Sequence, residues 1–195
     1  MKTHKPIFRQ LGSGALRKTR GVSLVIVMIF LVILSVLGIS AVQTSTFSSR
    51  IARNESDRNL ALQAAEAGLR DAEQDTKSLK FDNTPCVAGS ARCRASPINR
   101  GNGFDNLCTL GLCDPALFAN PVWEDKTKWT ATGGSVAYGT NTGATDLPVV
   151  SQQPRYLIEY FSFFETTVYR ITVIGYGASP SSQVMIQSTV KALAI

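Results

Sequence analysis

Between Gly21 and Ser49 the chain carries no charged side chain, and the twenty-one residues VSLVIVMIFLVILSVLGISAV, Val22 to Val42, are apolar apart from small residues and three serines. At ~1.5 Å per residue such a helix spans roughly 32 Å, enough for the ~30 Å hydrocarbon core of a bilayer. A helix of this length in a soluble core ordinarily keeps a polar face, and this one has none. The run therefore predicts a membrane span. Lys2, Lys5, Arg9, Arg17, Lys18 and Arg20 precede it with no acid among them, so the positive-inside rule leaves the N-terminus in the cytoplasm and sends the rest of the chain across.

The same count explains the net charge of +6: outside residues 1–21 the chain is neutral, with 14 basic and 14 acidic residues. A basic surplus confined to a leader speaks for topology and against nucleic-acid binding. His4, the only histidine, also lies in the leader. Beyond the leader the chain has no imidazole for a Ser-His-Asp or Cys-His site or for His-ligated zinc, and no spacing singles out a Ser-Lys pair or paired carboxylates.

Three devices use such an N-terminus. A secretory signal has a shorter apolar region and a small-residue cleavage site, which Gly38-Ile39-Ser40 would supply. An uncleaved signal anchor is the second. The third is a leader cut on the cytoplasmic side at a glycine, and Arg20-Gly21-Val22-Ser23-Leu24 has that form.

From residue 43 to about 80 the chain reads as an amphipathic continuation of the helix. Phe47, Ile51, Leu62, Ala65, Leu69 and Ala72 recur at spacings of three and four or their sums, while Arg53, Glu55, Asp57, Glu66, Glu73 and Asp75 are expected on other faces. No proline interrupts residues 7–84. Residues 81–154 then hold six of the eight prolines and all four cysteines, and predict loops with short strands. Residues 155–195 are rich in Val, Ile, Tyr, Phe and Thr between short turn-like connections and predict an antiparallel meander of three strands. One face of that meander needs cover, and the long helix is the element large enough to provide it. The expected class is α+β: a long N-terminal transmembrane and amphipathic helix packed on a small antiparallel β-sheet, with disulfide-stapled loops.

Cys86, Cys93, Cys108 and Cys113 give C-x6-C and C-x4-C. The first spacing is too wide for a zinc knuckle. On the far side of the membrane, two disulfides are expected. Three pairings are possible, and the local one, Cys86 with Cys93 and Cys108 with Cys113, closes the smallest loops. Gly101-Asn102-Gly103-Phe104-Asp105-Asn106 offers oxygen ligands but lacks the terminal acid of a calcium loop, so a plain turn is expected. The aromatics from Tyr156 to Tyr176 read as core and cross-strand pairs.

The junction at Gly21 resembles the class III signal of type IV pilins and pseudopilins. Residues Ser45 to Asp75, STFSSRIARNESDRNLALQAAEAGLRDAEQD, closely resemble the N-terminal region of the PilX minor pilins of type IV pili, and Tyr169 to Val190 looks like the last hairpin of that family. The resemblance implies a ladle-shaped pilin fold and a non-enzymatic role without a cofactor. It implies cleavage by prepilin peptidase between Gly21 and Val22 with N-methylation of Val22. It further implies priming of pilus assembly with other minor pilins, the major pilin and a tip adhesin. A pseudopilin of a type II secretion system shares this physics, and a signal-anchored periplasmic enzyme or sensor is the reading from another class. The chain departs from ordinary pilins at the fifth residue after the cut, where they carry a glutamate and Ile26 stands here.

Overall fold

The computed structural model describes residues 21–98, 102–164 and 166–192, with 41–45 described as helical backbone alone. Residues 1–20 of the leader and Gly101 of the candidate turn lie outside the described residues. The chain divides into two units, Met1–Ser49 and Arg50–Ile195. One helix, α1 (Val22–Thr76), contributes to both.

In the first unit, Val22–Ser40 is long and apolar enough to cross a membrane, and none of it is buried against protein. Its serines do not make it polar. The hydroxyls of Ser35 and Ser40 donate to the carbonyls of Leu31 and Val36, four residues back, at 2.7 and 2.9 Å, which satisfies them without water.

In the second unit α1 packs on a sheet of five strands: β1 (Leu112–Cys113), β2 (Val136–Ala137), β3 (Arg155–Phe163), β4 (Thr166–Tyr176) and β5 (Gln183–Lys191). The order is β1-β3-β4-β5, with β2 also paired to β3. β3, β4 and β5 form the antiparallel meander that their composition predicts. The short β1 runs parallel to β3, placing Leu112 beside Ile158, and makes the sheet mixed.

Three features depart from the sequence reading. First, α1 ends at Thr76 rather than near residue 80, because the chain turns through Ser78, whose φ is +58°. Second, the buried face of the helix keeps only part of the expected stripe: Ala65 and Ala72 are enclosed, and Leu69 packs against the core. Phe47, Ile51 and Leu62 are exposed, and the face against the sheet is Ala61, Ala64, Ala65, Gly68, Asp71, Ala72 and Asp75. The spacing is helical, but the residues are small or acidic because the sheet approaches the helix too closely for longer apolar side chains. Gly175 of β4 shows how closely: a Cβ built there would fall on the backbone of Ala61 and Ala65.

Third, the sheet buries both faces around β3. Toward α1, Tyr156, Ile158, Tyr169, Ile171 and Val173 pack with Ala72 and Leu112. On the other face Leu157, Ile174 and Tyr176 pack with Val122, Trp129 and the disulfide of Cys108 and Cys113. The proline-rich region thus supplies the second cover. Residues Leu112 and Cys113 enter opposite cores, as adjacent strand residues must.

Candidate functional site

Two features of the chain bear on function: the free apolar helix, and the polar contacts by which α1 holds the rest of the second unit. In the first, Gly21 precedes the helix as an exposed turn residue, Val22 is its first residue, and Ile26 is 58% exposed on it. A Cβ at Gly21 would meet nothing within 4 Å. Any requirement for glycine at this position therefore lies outside the fold.

The second feature is a row of aspartates on the buried face of α1. Asp57, Asp71 and Asp75 share that face because intervals of 14 and 4 residues are close to whole turns of 3.6. Near the start of the second unit, Asp57 Oδ1 accepts from the backbone N–H groups of Ala178 and Ser179 at 2.6 and 3.3 Å, fastening the β4–β5 connection. Fourteen residues on, Asp71 accepts from the Gly139 N–H at 2.8 Å and from the Thr142 hydroxyl.

Asp75 is fully buried and has the densest set of partners. Arg94 grips it with Nε on Oδ1 at 2.6 Å and Nη2 on Oδ2 at 2.9 Å; Oδ2 also accepts from Asn141 Nδ2 at 3.0 Å and from the Tyr156 hydroxyl at 2.9 Å. One carboxylate therefore ties the helix to the Cys93 loop, to the turn after β2 and to β3. Burial, reinforced by the charges of Asp75 and Asp71, pushes the Tyr156 phenol well above its usual range, so it stays a donor.

Disulfides set the arginines of this network in place. Cys86 joins Cys93, which lies between Arg92 and Arg94, and Cys108 joins Cys113. Arg92 donates to the carbonyls of Gly139 and Ala144 at 3.0 and 2.9 Å, and the Ser78 hydroxyl bonds the Arg94 carbonyl. A segment without a core of its own is thus held by one covalent link and several buried polar ones. In the turn with calcium-type oxygen ligands, Asp105 Oδ1 accepts from the backbone N–H groups of Leu107 and Thr109, both at 3.0 Å.

The apolar periodicity of the sequence puts Asp57 and Asp75 on other faces and does not single out Asp71, Arg94, Asn141 or Thr142. The signal that would find the three aspartates is the run of small residues at 61, 64, 65, 68 and 72, whose phase includes 57, 71 and 75; Arg94, Asn141 and Thr142 lie outside the helix and carry no such signal.

Burial raises the Asp71 carboxyl from 3.8 to about 6, against the lowering effect of its hydrogen bonds to Thr142 and Gly139. A raised carboxyl binds its proton more tightly in the native state, so its contribution to stability is full below pH 3.8 and is lost as pH rises through about 6. We expect the head to gain about 1 kcal/mol between pH 7 and pH 5 from this group. Asp71→Asn should flatten that slope in thermal unfolding followed over the same range. An unchanged slope would assign it to another group.

Two family models match the chain. One, described as PilX N-terminal, covers residues 20–70; the other, described as Type IV pilus assembly protein PilX C-term, covers residues 90–192. No curated protein and no solved structure matches it. The first match takes in the Gly21 junction, the apolar run and the small-residue face of α1 as far as Gly68; the second takes in Arg92, Arg94, the turn after β2 and the meander. The chain belongs to the PilX family of type IV pilus assembly proteins and is a membrane-anchored minor pilin.

Proposed function

We propose that this minor pilin primes pilus assembly at or next to the filament tip, together with other minor pilins, the major pilin and a tip adhesin, and so supports adhesion and twitching motility. The observation that carries the reading is Ile26. In pilins generally the glutamate at that position meets the N-terminal amine of the subunit ahead. An ionised carboxylate in the bilayer costs at least ~2.5–3.5 kcal/mol on insertion scales unless it finds a partner. A subunit with nothing ahead has no amine to offer it. Isoleucine removes that charge, while the chain's own amine remains free to receive the glutamate of the next subunit.

In this reading the precursor is a single-pass inner-membrane protein with its N-terminus in the cytoplasm and its head in the periplasm, later drawn into the extracellular pilus. Prepilin peptidase cuts between Gly21 and Val22, and the new Val22 amine is methylated. Because a Cβ at Gly21 would meet nothing within 4 Å among the described residues, Gly21→Val should leave the head folded and block maturation, so that precursor accumulates on an immunoblot. Normal maturation of the variant, or mature protein beginning at Ala41, would refute the cleavage site.

The tip position is tested by a crosslinking cysteine introduced as Ser23→Cys. Adducts to one following subunit are expected. Adducts spread along purified shafts would put the chain in the shaft instead.

A further inference from the structure

On the face of the sheet away from α1, the segment 123–130 and the margin of β4 and β5 line a cavity of about 660 Å³, inside the range of sites for small organic ligands. Its apolar lining is Trp123, Trp129, Ile174 and Met185. Trp129 and Ile174 are nearly enclosed, whereas Trp123 is half-buried and Met185 is exposed, so apolar surface stays uncovered there. Glu124, Lys126 and Gln152 stand exposed around the rim.

Two buried polar side chains give the cavity its chemistry. Tyr176 lines it, is 6% exposed, and has no hydrogen-bond partner for its hydroxyl among the described residues. Arg155 lies directly opposite Ile174 in the ladder and so diagonal to Tyr176 on the same face, a Cα separation of ~7–8 Å that long side chains bridge. It is 8% exposed, its Nε and Nη2 are spent on Ser135, and among the described residues no carboxylate pairs with it. Arg94 shows what a partner does. Burial lowers the pKa of both guanidiniums, but the hydrogen bond and charge of Asp75 leave Arg94 raised, while Arg155 stays lowered. A buried charge without a counter-ion is costly, and the cavity at Tyr176 has room for one.

We propose that this cavity binds a carboxylated sugar. Its carboxylate accepts a hydrogen bond from the Tyr176 hydroxyl in the field of Arg155, its ring lies against the apolar lining, and its hydroxyls meet Glu124 and Gln152. Burial raises the Tyr176 phenol against the pull of Arg155, so it enters this contact as a donor. The rim decides among anions. Glu124 accepts from sugar hydroxyls and repels a compact polyanion such as phosphate, and a purely apolar acid would leave both Glu124 and Gln152 without a partner.

The test titrates the full chain in detergent micelles with sodium glucuronate, glucose or sodium acetate, at fixed pH and ionic strength, and follows the fluorescence of Trp123 and Trp129, the only tryptophans of the chain. Glucuronate should change it saturably, with glucose, which lacks the carboxylate, and acetate, which lacks the ring, each weaker by roughly tenfold or more. Tyr176→Phe removes a hydroxyl that bonds nothing in the protein, so it should keep the wild-type thermal midpoint and weaken glucuronate roughly tenfold. The proposal is overturned if glucuronate gives no saturable change, if glucose or acetate binds as well as glucuronate, or if Tyr176→Phe binds glucuronate like wild type. The three probes on the unaltered chain test it whether or not the variant folds. The assay reads the head and not the place in the filament, so its failure would leave the tip reading untouched.

Discussion

Asp75→Ala should lower the thermal midpoint of the head by roughly 10 °C. The substitution leaves the Arg94 guanidinium, only 12% exposed, without its carboxylate, and strips Asn141 and Tyr156 of a shared acceptor. Removing one partner of a buried pair costs about 3–5 kcal/mol, because the remaining charge stays in a poorly solvated site. In a domain of this size each kcal/mol moves the midpoint by ~2–4 °C. Both tryptophans lie outside the network, so their fluorescence follows unfolding without being altered directly. Asp75→Asn keeps one acceptor oxygen and should fall between the alanine variant and wild type. Pairing Asp75→Leu with Arg94→Met removes both charges and should recover much of the loss, since apolar replacement of a whole buried pair is often neutral. If Asp75→Ala unfolds within 2 °C of wild type, the carboxylate does not hold the head.

The distinction between one partner and both explains why the meander is legible in the sequence and the clamp is not. β3, β4 and β5 announce themselves because alternation and β-branched residues are local properties, readable within nine to eleven positions. The apolar run is legible for the same reason. Asp75 gives no such signal: on its own it is a charged residue of a helix, expected in water, and it becomes a core residue only through Arg94, Asn141 and Tyr156, 19, 66 and 81 positions away. Nor does a two-residue strand such as β1 carry periodicity; it forms because the loop stapled by Cys108 and Cys113 lies against β3. The second core is hidden likewise. Leu157 and Ile174 read as the outward row of a one-sided sheet until Val122 and Trp129 are seen to cover them.

Close contact between helix and sheet has the other large consequence: Gly175→Val should prevent the head from folding at 37 °C. The atoms in the way are the Ala61 carbonyl and the nitrogen and Cα of Ala65. All are backbone, so no rotamer change relieves the overlap, and α1 must move off β4 as a body. That movement would part Ala61 and Ala65 from the sheet and draw Asp57 away from the Ala178 and Ser179 N–H groups. Ordinary overpacking costs ~1–3 kcal/mol where side chains can yield; a collision between main chains exceeds the upper end of that range. Gly68 provides the comparison. Its added Cβ would meet the side chains of Val173 and Pro154 at 2.8 and 2.9 Å, side-chain atoms rather than main chain. Gly68→Ala should therefore yield folded protein with a lowered midpoint, and Gly38→Ala, in open surroundings, should leave the midpoint unchanged. Protease resistance of the three variants in membranes gives the ranking, and a Gly175→Val head as resistant as that of Gly68→Ala would mean that the small-residue face does not set the distance between helix and sheet.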